Sequence, residues 1–249
     1  MRLDSAIALV TGGAVRIGEA ICRALAAKGC TVAVHYNRSE REARRLVETV
    51  REGGGNAFTV RGDLRSAEDC AGIVRAVCSE AGGIDILVNN AAVFHKDTLL
   101  TSDGDKLTAE LQVNTLAPAL LARAFADARR AGGARSGRQG KIVNLLGRRI
   151  ATVDPESLSY SISKKMLAEF TREAAVELAP DITVNGVAPG AVLPPPGGVD
   201  RTIDPAGDAP LDVQCTPDDV AGAVLYLLES DVVTGQVIFV DGGQHLVGT

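Results

Sequence analysis

Seven short apolar runs, each separated from the next by a longer stretch, constrain this chain more than any other feature. They fall at 5–11, 31–36, 56–61, 84–89, 141–146, 182–187 and 236–240. All are rich in Val, Ile and Leu without clean in–out alternation, as expected of parallel strands covered on both faces. Most of the intervening segments, at 17–28, 39–52, 66–81, 105–131, 157–178 and 217–229, carry helical spacing. The last has a legible start: Thr216 as N-cap, Pro217 in the first turn, then Asp218 and Asp219 at the positive end of the dipole. Repeated β–α alternation predicts an α/β fold with a doubly wound parallel sheet of seven strands and right-handed crossovers.

No repeat or linker divides the 249 residues, so residues 1–249 are read as one domain. Two segments are irregular. The stretch 132–140, arginines included, is expected to be a solvated connection, and 189–210 is long enough for a lid over the strand ends. The lid is placed at about 190–215. A net charge of −5 gives no bulk attraction to nucleic acid or anionic lipid. Cysteines 22, 30, 70, 78 and 215 are odd in number and form no CxxC, which reads as free thiols in a reducing compartment. Apolar runs such as 220–228 fall far short of the roughly 18 residues of a membrane helix. The first residues run straight into a strand, with no room for a signal peptide. The expectation is a cytoplasmic protein acting on a small molecule, without nucleic acid or membrane.

At 8–25 the chain reads ALVTGGAVRIGEAICRAL: strand, Gly-rich turn, helix. Backbone N–H groups at such a turn hold a pyrophosphate, favoured by the helix dipole. The spaced residues are Thr11, Gly12, Arg16 and Gly18. Arg16 stands where many such turns carry a glycine and would offer a fork of donors to the phosphates or to a substrate beyond them. After the second run come Asn37, Arg38 and Ser39, where a preference for NAD usually calls for an acidic residue. A cation and a hydroxyl suit a 2′-phosphate, which predicts NADP(H).

Tyr160 and Lys164 sit four apart on one predicted helix and so share a face. A neighbouring ammonium is expected to favour the phenolate and bring the phenol, ordinarily near ~10, toward useful proton exchange. His35, His95 and His245 show no metal-ligand spacing, and no metal is called for.

With the turn, Asn114, the Tyr160–Ser–Ile–Ser–Lys164 run and VAPG at 187–190, the chain resembles the short-chain dehydrogenase/reductase family along almost its whole length. NNAA at 89–92, GDL at 62–64 and VTGQVIFVDGG at 233–243 fit as well. The resemblance implies a Rossmann-type sheet with NADP(H) lying across the strand ends. It places Thr11, Gly12, Arg16, Ile17 and Gly18 at the phosphates, Asp63 and Leu64 near adenine, and Asn90 and Ala91 near ribose. Pro189, Gly190 and Val192 would line the nicotinamide. Tyr160, Lys164 and Asn114 would be catalytic, with Lys164 also on the nicotinamide ribose and Asn114 anchoring a water. A homotetramer or homodimer is implied, packed through the long helices and the C-terminal strand region.

Arg16, the HYNRS run at 35–39 and Phe94 lean toward the pteridine reductase branch, where the corresponding aromatic stacks a flat substrate on the nicotinamide. Two positions depart from that branch. Gly147 stands where most of the family has serine and pteridine reductases have aspartate, and Ala92 stands where the latter have serine. The substrate pocket is assigned to Arg16, Phe94 and Gly147. The expected activity is NADPH-dependent hydride transfer to a carbonyl or imine, with pteridine-like compounds among the candidate substrates and Tyr160 as proton donor. The gap at Gly147 is expected to be filled by substrate, by water or by a side chain, with Arg16, Arg148, Ser159 and Ser161 as candidates, the two serines being helix residues turned away from Tyr160 and read as structural. The rival expectation is a catalytically weakened NADP-binding sensor or partner subunit.

Overall fold

The computed structural model describes residues 2–133, 138–192 and 209–247. Seven parallel strands form one sheet: β1 (Ile7–Val10), β2 (Thr31–Tyr36), β3 (Asn56–Arg61), β4 (Ile86–Asn89), β5 (Gly140–Leu145), β6 (Ile182–Pro189) and β7 (Val237–Val240). Their order is β3-β2-β1-β4-β5-β6-β7. The chain starts in the middle, winds outward to β3, then crosses back to lay β4 on the other side of β1. Ala8 pairs with Val32 on one side and Ile86 on the other. A crevice opens at this reversal, beyond the carboxyl ends of the strands.

The flanking helices are α1 (Arg16–Ala27), α2 (Glu40–Glu52), α3 (Ala67–Ala81), α4 (Gly104–Leu111), α5 (Ala117–Ala128), α6 (Leu158–Glu177), α7 (Pro217–Glu229) and the short α8 (Gln244–Val247). Alternate residues of each strand feed opposite cores, which is why the runs read as continuously apolar. Ala8, Val10, Val32 and Val34 pack with Ile21 and Leu25 of α1 and Val220 and Val224 of α7. Ile7, Leu9, Leu87, Ile142 and Val184 pack with Ile73 and Val77 of α3 and Leu121 and Phe125 of α5. Each fully buried aliphatic side chain contributes about 1.5–3 kcal/mol.

Strands 31–36 and 56–61 fall where their sequence placed them. β6 runs two residues further than expected because Ala188 and Pro189 pair with Phe239 and Val240 of β7. The predicted helix over 105–131 is interrupted. Residues Gln112–Leu116 form a π-helical turn, with Ala117 N–H donating to the Gln112 carbonyl five residues back. Pro118 has no N–H for the Asn114 carbonyl, so the α-helical ladder could not continue through this point. At the start of α7, Thr216 and Asp219 form a reciprocal capping box at 2.8 and 3.2 Å.

Residues 134–137 of the expected solvated connection lie outside the described residues. Arg138 does not simply face solvent: it donates to the Asp4 carbonyl at 2.8 Å and to Ser5 Oγ at 3.1 Å. Residues 193–208 of the expected lid likewise lie outside the described residues. Among the described residues, no helix is long and apolar enough to cross a membrane.

Candidate active site

The Gly-rich turn is built by close approach. A Cβ on Gly18 would sit 2.2 Å from the Gly12 carbonyl oxygen and 2.7 Å from Asn90 Nδ2, so only glycine lets α1 start this close to the turn. Gly12 (φ 59°) and Arg16 (φ 58°) both take the left-handed conformation. For an arginine this costs about 1–2 kcal/mol, the structural counterpart of its standing where a glycine is common. Thr11 Oγ1 accepts from Asn90 N–H at 2.9 Å and Ala91 N–H at 3.1 Å. Asn90 Nδ2 donates to the Thr11 and Gly12 carbonyls at 2.9 and 3.1 Å. Asn90 is thus a bolt between β4 and the turn, while Ala91 beside it faces the crevice.

One bolt went unrecognised in the sequence. His35 is buried at the end of β2, and its Nδ1 accepts from Gly12 N–H at 3.1 Å while its backbone carbonyl accepts from Gly13 N–H at 3.0 Å. Accepting at Nδ1 leaves the ring proton on Nε2, which faces the Gly62 carbonyl at 3.2 Å. Burial pushes the imidazole down to about 4, so it is neutral at physiological pH.

From the turn a cavity of about 460 Å³ runs over the strand ends, lined by Gly12, His35, Asn37, Arg38, Ser39, Asp63, Leu64, Ala91 and Val113 among others. Arg38 and Ser39 hold its far end, where Ser39 occupies the N-cap position of α2 without its hydroxyl capping the helix. Asp63 is held by Arg65 Nε at 3.0 Å, and this bonding lowers its carboxyl to about 2. A narrow glycine cradle, a cation with a hydroxyl at one end and a charged rim suit a dinucleotide carrying an extra phosphate. Arg16 is exposed and Ile17 half-buried at the start of α1, directly after Ala14 and Val15, which line this cavity. Pro189, Gly190 and Val192 follow at the end of β6. A Cβ on Gly190 would meet Asp241 Cβ at 2.8 Å.

The chemistry-bearing side chains gather at the end of β5. Lys164 is buried and its Nζ donates to the Leu145 carbonyl at 2.7 Å. Burial lowers its amine to about 8, opposed by the nearby Glu110 carboxylate. Tyr160 extends its hydroxyl toward Gly147, where an added Cβ would lie 3.4 Å from that oxygen. The expectation that Lys164 acidifies this phenol is corrected: burial dominates and raises it to about 12, with the Arg149 guanidinium opposing and Glu110 reinforcing the rise. The amine is 5.7 Å from the ring centroid and bonded to a carbonyl.

Asn114, within the π turn, is fully buried. Its Oδ1 accepts from Val93 N–H at 2.9 Å, and its Nδ2 faces the Val93 carbonyl (2.9 Å), Glu110 Oε2 (2.6 Å) and Ser163 Oγ (3.0 Å). Glu110 and His95 are functional candidates the sequence reading passed over. Glu110 is buried, and its Oε1 accepts from His95 N–H at 2.7 Å and lies 2.9 Å from His95 Nδ1. The signal was the Glu–x–x–x–Asn spacing, which sets the two side chains on one face.

Phe94 is 42 % exposed and meets Tyr160 edge-on, with centroids 5.1 Å apart and planes at 80°. It is not core packing. Arg149, in the 3-10 turn that follows Gly147, lies over both rings at 5.5 and 5.9 Å and is ion-paired with Asp154. Ser159 is buried against Asp97 and Ser102, and Ser161 against Ser157. Neither faces the gap at Gly147.

Similarity to known proteins follows the same outline. A family model described as enoyl-(acyl carrier protein) reductase matches residues 13–245. An oxidoreductase of Methylorubrum extorquens is 34% identical over 97% of this chain and 98% of its own length. Pteridine reductase 1 of Leishmania tarentolae is 33% identical, covering 96% of each chain. The crystal structure of FolM alternative dihydrofolate reductase 1 from Brucella canis, complexed with NADP, superposes with a TM-score of 0.92 at 34% identity, over 100% of this chain and 97% of that one.

Proposed function

The chain belongs to the short-chain dehydrogenase/reductase family, and from that premise we propose that it is an NADPH-dependent reductase of a small planar, pteridine-like substrate, with Tyr160 as proton donor. Its cofactor is NADP(H), and similar structures hold that nucleotide. The glycine cradle at Gly12 and Gly18 receives the pyrophosphate, and Arg38 with Ser39 the 2′-phosphate. Bound NADPH supplies the hydride. Tyr160 delivers the proton to the substrate heteroatom from its hydroxyl beside Gly147. Lys164 and Asn114 hold the helix face that presents it.

The observation that carries the substrate class is Phe94. An exposed ring at edge-to-face distance from the proton donor is a ready platform for a flat heterocycle, and such contacts are worth about 0.5–1.5 kcal/mol beyond burial. The experiment is NADPH oxidation with dihydropterins and dihydrofolate beside quinones, diketones and ketoacyl thioesters. Turnover concentrated in the pterin group is expected. Turnover confined to thioesters or simple ketones overturns the substrate class.

A second reading, an NADP-binding sensor or partner subunit, is favoured by Gly147 and by the raised phenol. It predicts nucleotide binding with no turnover across that whole panel. Assembly as a homodimer or homotetramer remains part of the proposal, checked by light scattering.

A further inference from the structure

Gly147 removes the side chain that in much of the family faces the proton donor, and the groups around Tyr160 indicate what replaces it. Among the described residues, the titratable and charged side chains gathered around the phenol are Lys164, Glu110, His95, Arg149 and Asp154. Lys164 is on its own helix, with Nζ bonded to the Leu145 carbonyl at 2.7 Å. Glu110 of α4, paired with His95, lies behind Asn114, whose Nδ2 is 3.0 Å from Ser163 Oγ, itself donating to the Tyr160 carbonyl at 2.7 Å. Arg149, from the turn that Gly147 opens, places its guanidinium over the Tyr160 ring at 5.9 Å and is tied to Asp154. Its side chain is only 29 % exposed, so its charge is weakly screened. With no side chain at Gly147, the turn brings a cation rather than a hydroxyl to the donor.

We propose that Arg149 is the positioning residue that compensates for Gly147: its guanidinium, tethered by Asp154, stabilises the negative charge left on Tyr160 as the phenolic proton passes to the substrate. The proton leaves Tyr160 Oη for the substrate heteroatom, the adjacent carbon would take the hydride that bound NADPH supplies, and the phenolate is reprotonated from solvent between turnovers. Asp154 sets the strength of the effect by neutralising part of the guanidinium charge. Removing either partner should therefore move the phenol in opposite directions. Phe94, also under the guanidinium at 5.5 Å, is held in the same cluster. The inference rests on Tyr160 as proton donor, but its test reads the phenol without any substrate.

The protein contains three tyrosines, Tyr36, Tyr160 and Tyr226. With tyrosine labelled at 13Cζ and NADP bound, the Tyr160 resonance is assigned by its loss in Tyr160→Phe. Arg149→Met should move the onset of its titration upward by about one pH unit or more, the scale of a nearby opposite charge. Asp154→Asn should move it downward, and Arg149→Lys should stay near the wild type. A merely structural Arg149 would let water reach the ring when removed and lower the titration in both variants. A common direction, or no movement in either, overturns the proposal. Opposite shifts in a protein that turns over nothing would show the coupling of Arg149 to the phenol but sink the reductase reading and, with it, the part given to Arg149 in proton transfer.

Discussion

Replacing Gly147 with serine asks directly what the missing side chain costs. The backbone there is extended (φ −177°, ψ 157°), a conformation any residue adopts. An added Cβ would lie 3.4 Å from the Tyr160 hydroxyl and 3.9 Å from its Cε1, with nothing else within 4 Å among the described residues beyond its chain neighbours. Both are ordinary contacts, so the change should alter stability by no more than about 0.5 kcal/mol, the usual range for an unstrained substitution. A serine Oγ projecting from that Cβ reaches the side of the phenol from which the substrate oxygen or nitrogen must approach. One hydrogen-bond donor to developing negative charge is worth about 10²–10³ in rate. Because Arg149 already offsets part of the loss, the expected gain is smaller, about tenfold in kcat with little change in KM. Gly147→Ala supplies the same Cβ without the donor and should give no gain. The assay is steady-state NADPH oxidation with the best substrate of the panel, alongside thermal melts of all three proteins. Should serine and alanine both abolish turnover while melting normally, the glycine is there to admit a bulky substrate, and the reasoning from a lost donor fails.

Arg38→Ala should weaken NADPH binding about tenfold to a hundredfold, the scale of a charge-assisted hydrogen bond, and leave NADH binding unchanged; fluorescence titration with both nucleotides checks it. Acidification should loosen the phosphate turn through His35. Its folded value near 4 lies below the unfolded value near 6.5, so the unfolded chain takes up the proton first. The stability it contributes is fully present above pH 6.5 and is lost as pH falls toward 4, about 3 kcal/mol in all. Chemical denaturation between pH 4 and 7 measures this, and His35→Asn should flatten the dependence.

The sheet was legible because most of its strands are buried and bounded by turns, so 31–36 stands out by composition, while the half-buried edge strand 56–61 stands out by the glycines on either side of it. The capped start of α7 at Thr216–Asp219 was legible for a similar reason: its bonds run between neighbours in sequence. What was hidden depends on distant partners. His35 grips Gly12 from a neighbouring strand, and Glu110 and Asn114, though four apart, meet their other partners His95 and Ser163 only in the folded chain. Arg149 gave no local sign of its place, since its aromatic partners come from the loop after β4 and from α6. The fate of the phenol was misjudged because Tyr–Lys spacing gives proximity and says nothing of burial, which here raises the phenol against the opposing Arg149.

Tyr160→Phe tests the central claim most directly, by nucleotide titration and turnover on the same sample. Loss of a positioned general acid removes about 10²–10⁴ in rate, so NADPH should bind within a few-fold of the wild type while substrate reduction falls at least a hundredfold. Undiminished reduction by the phenylalanine protein would contradict the account.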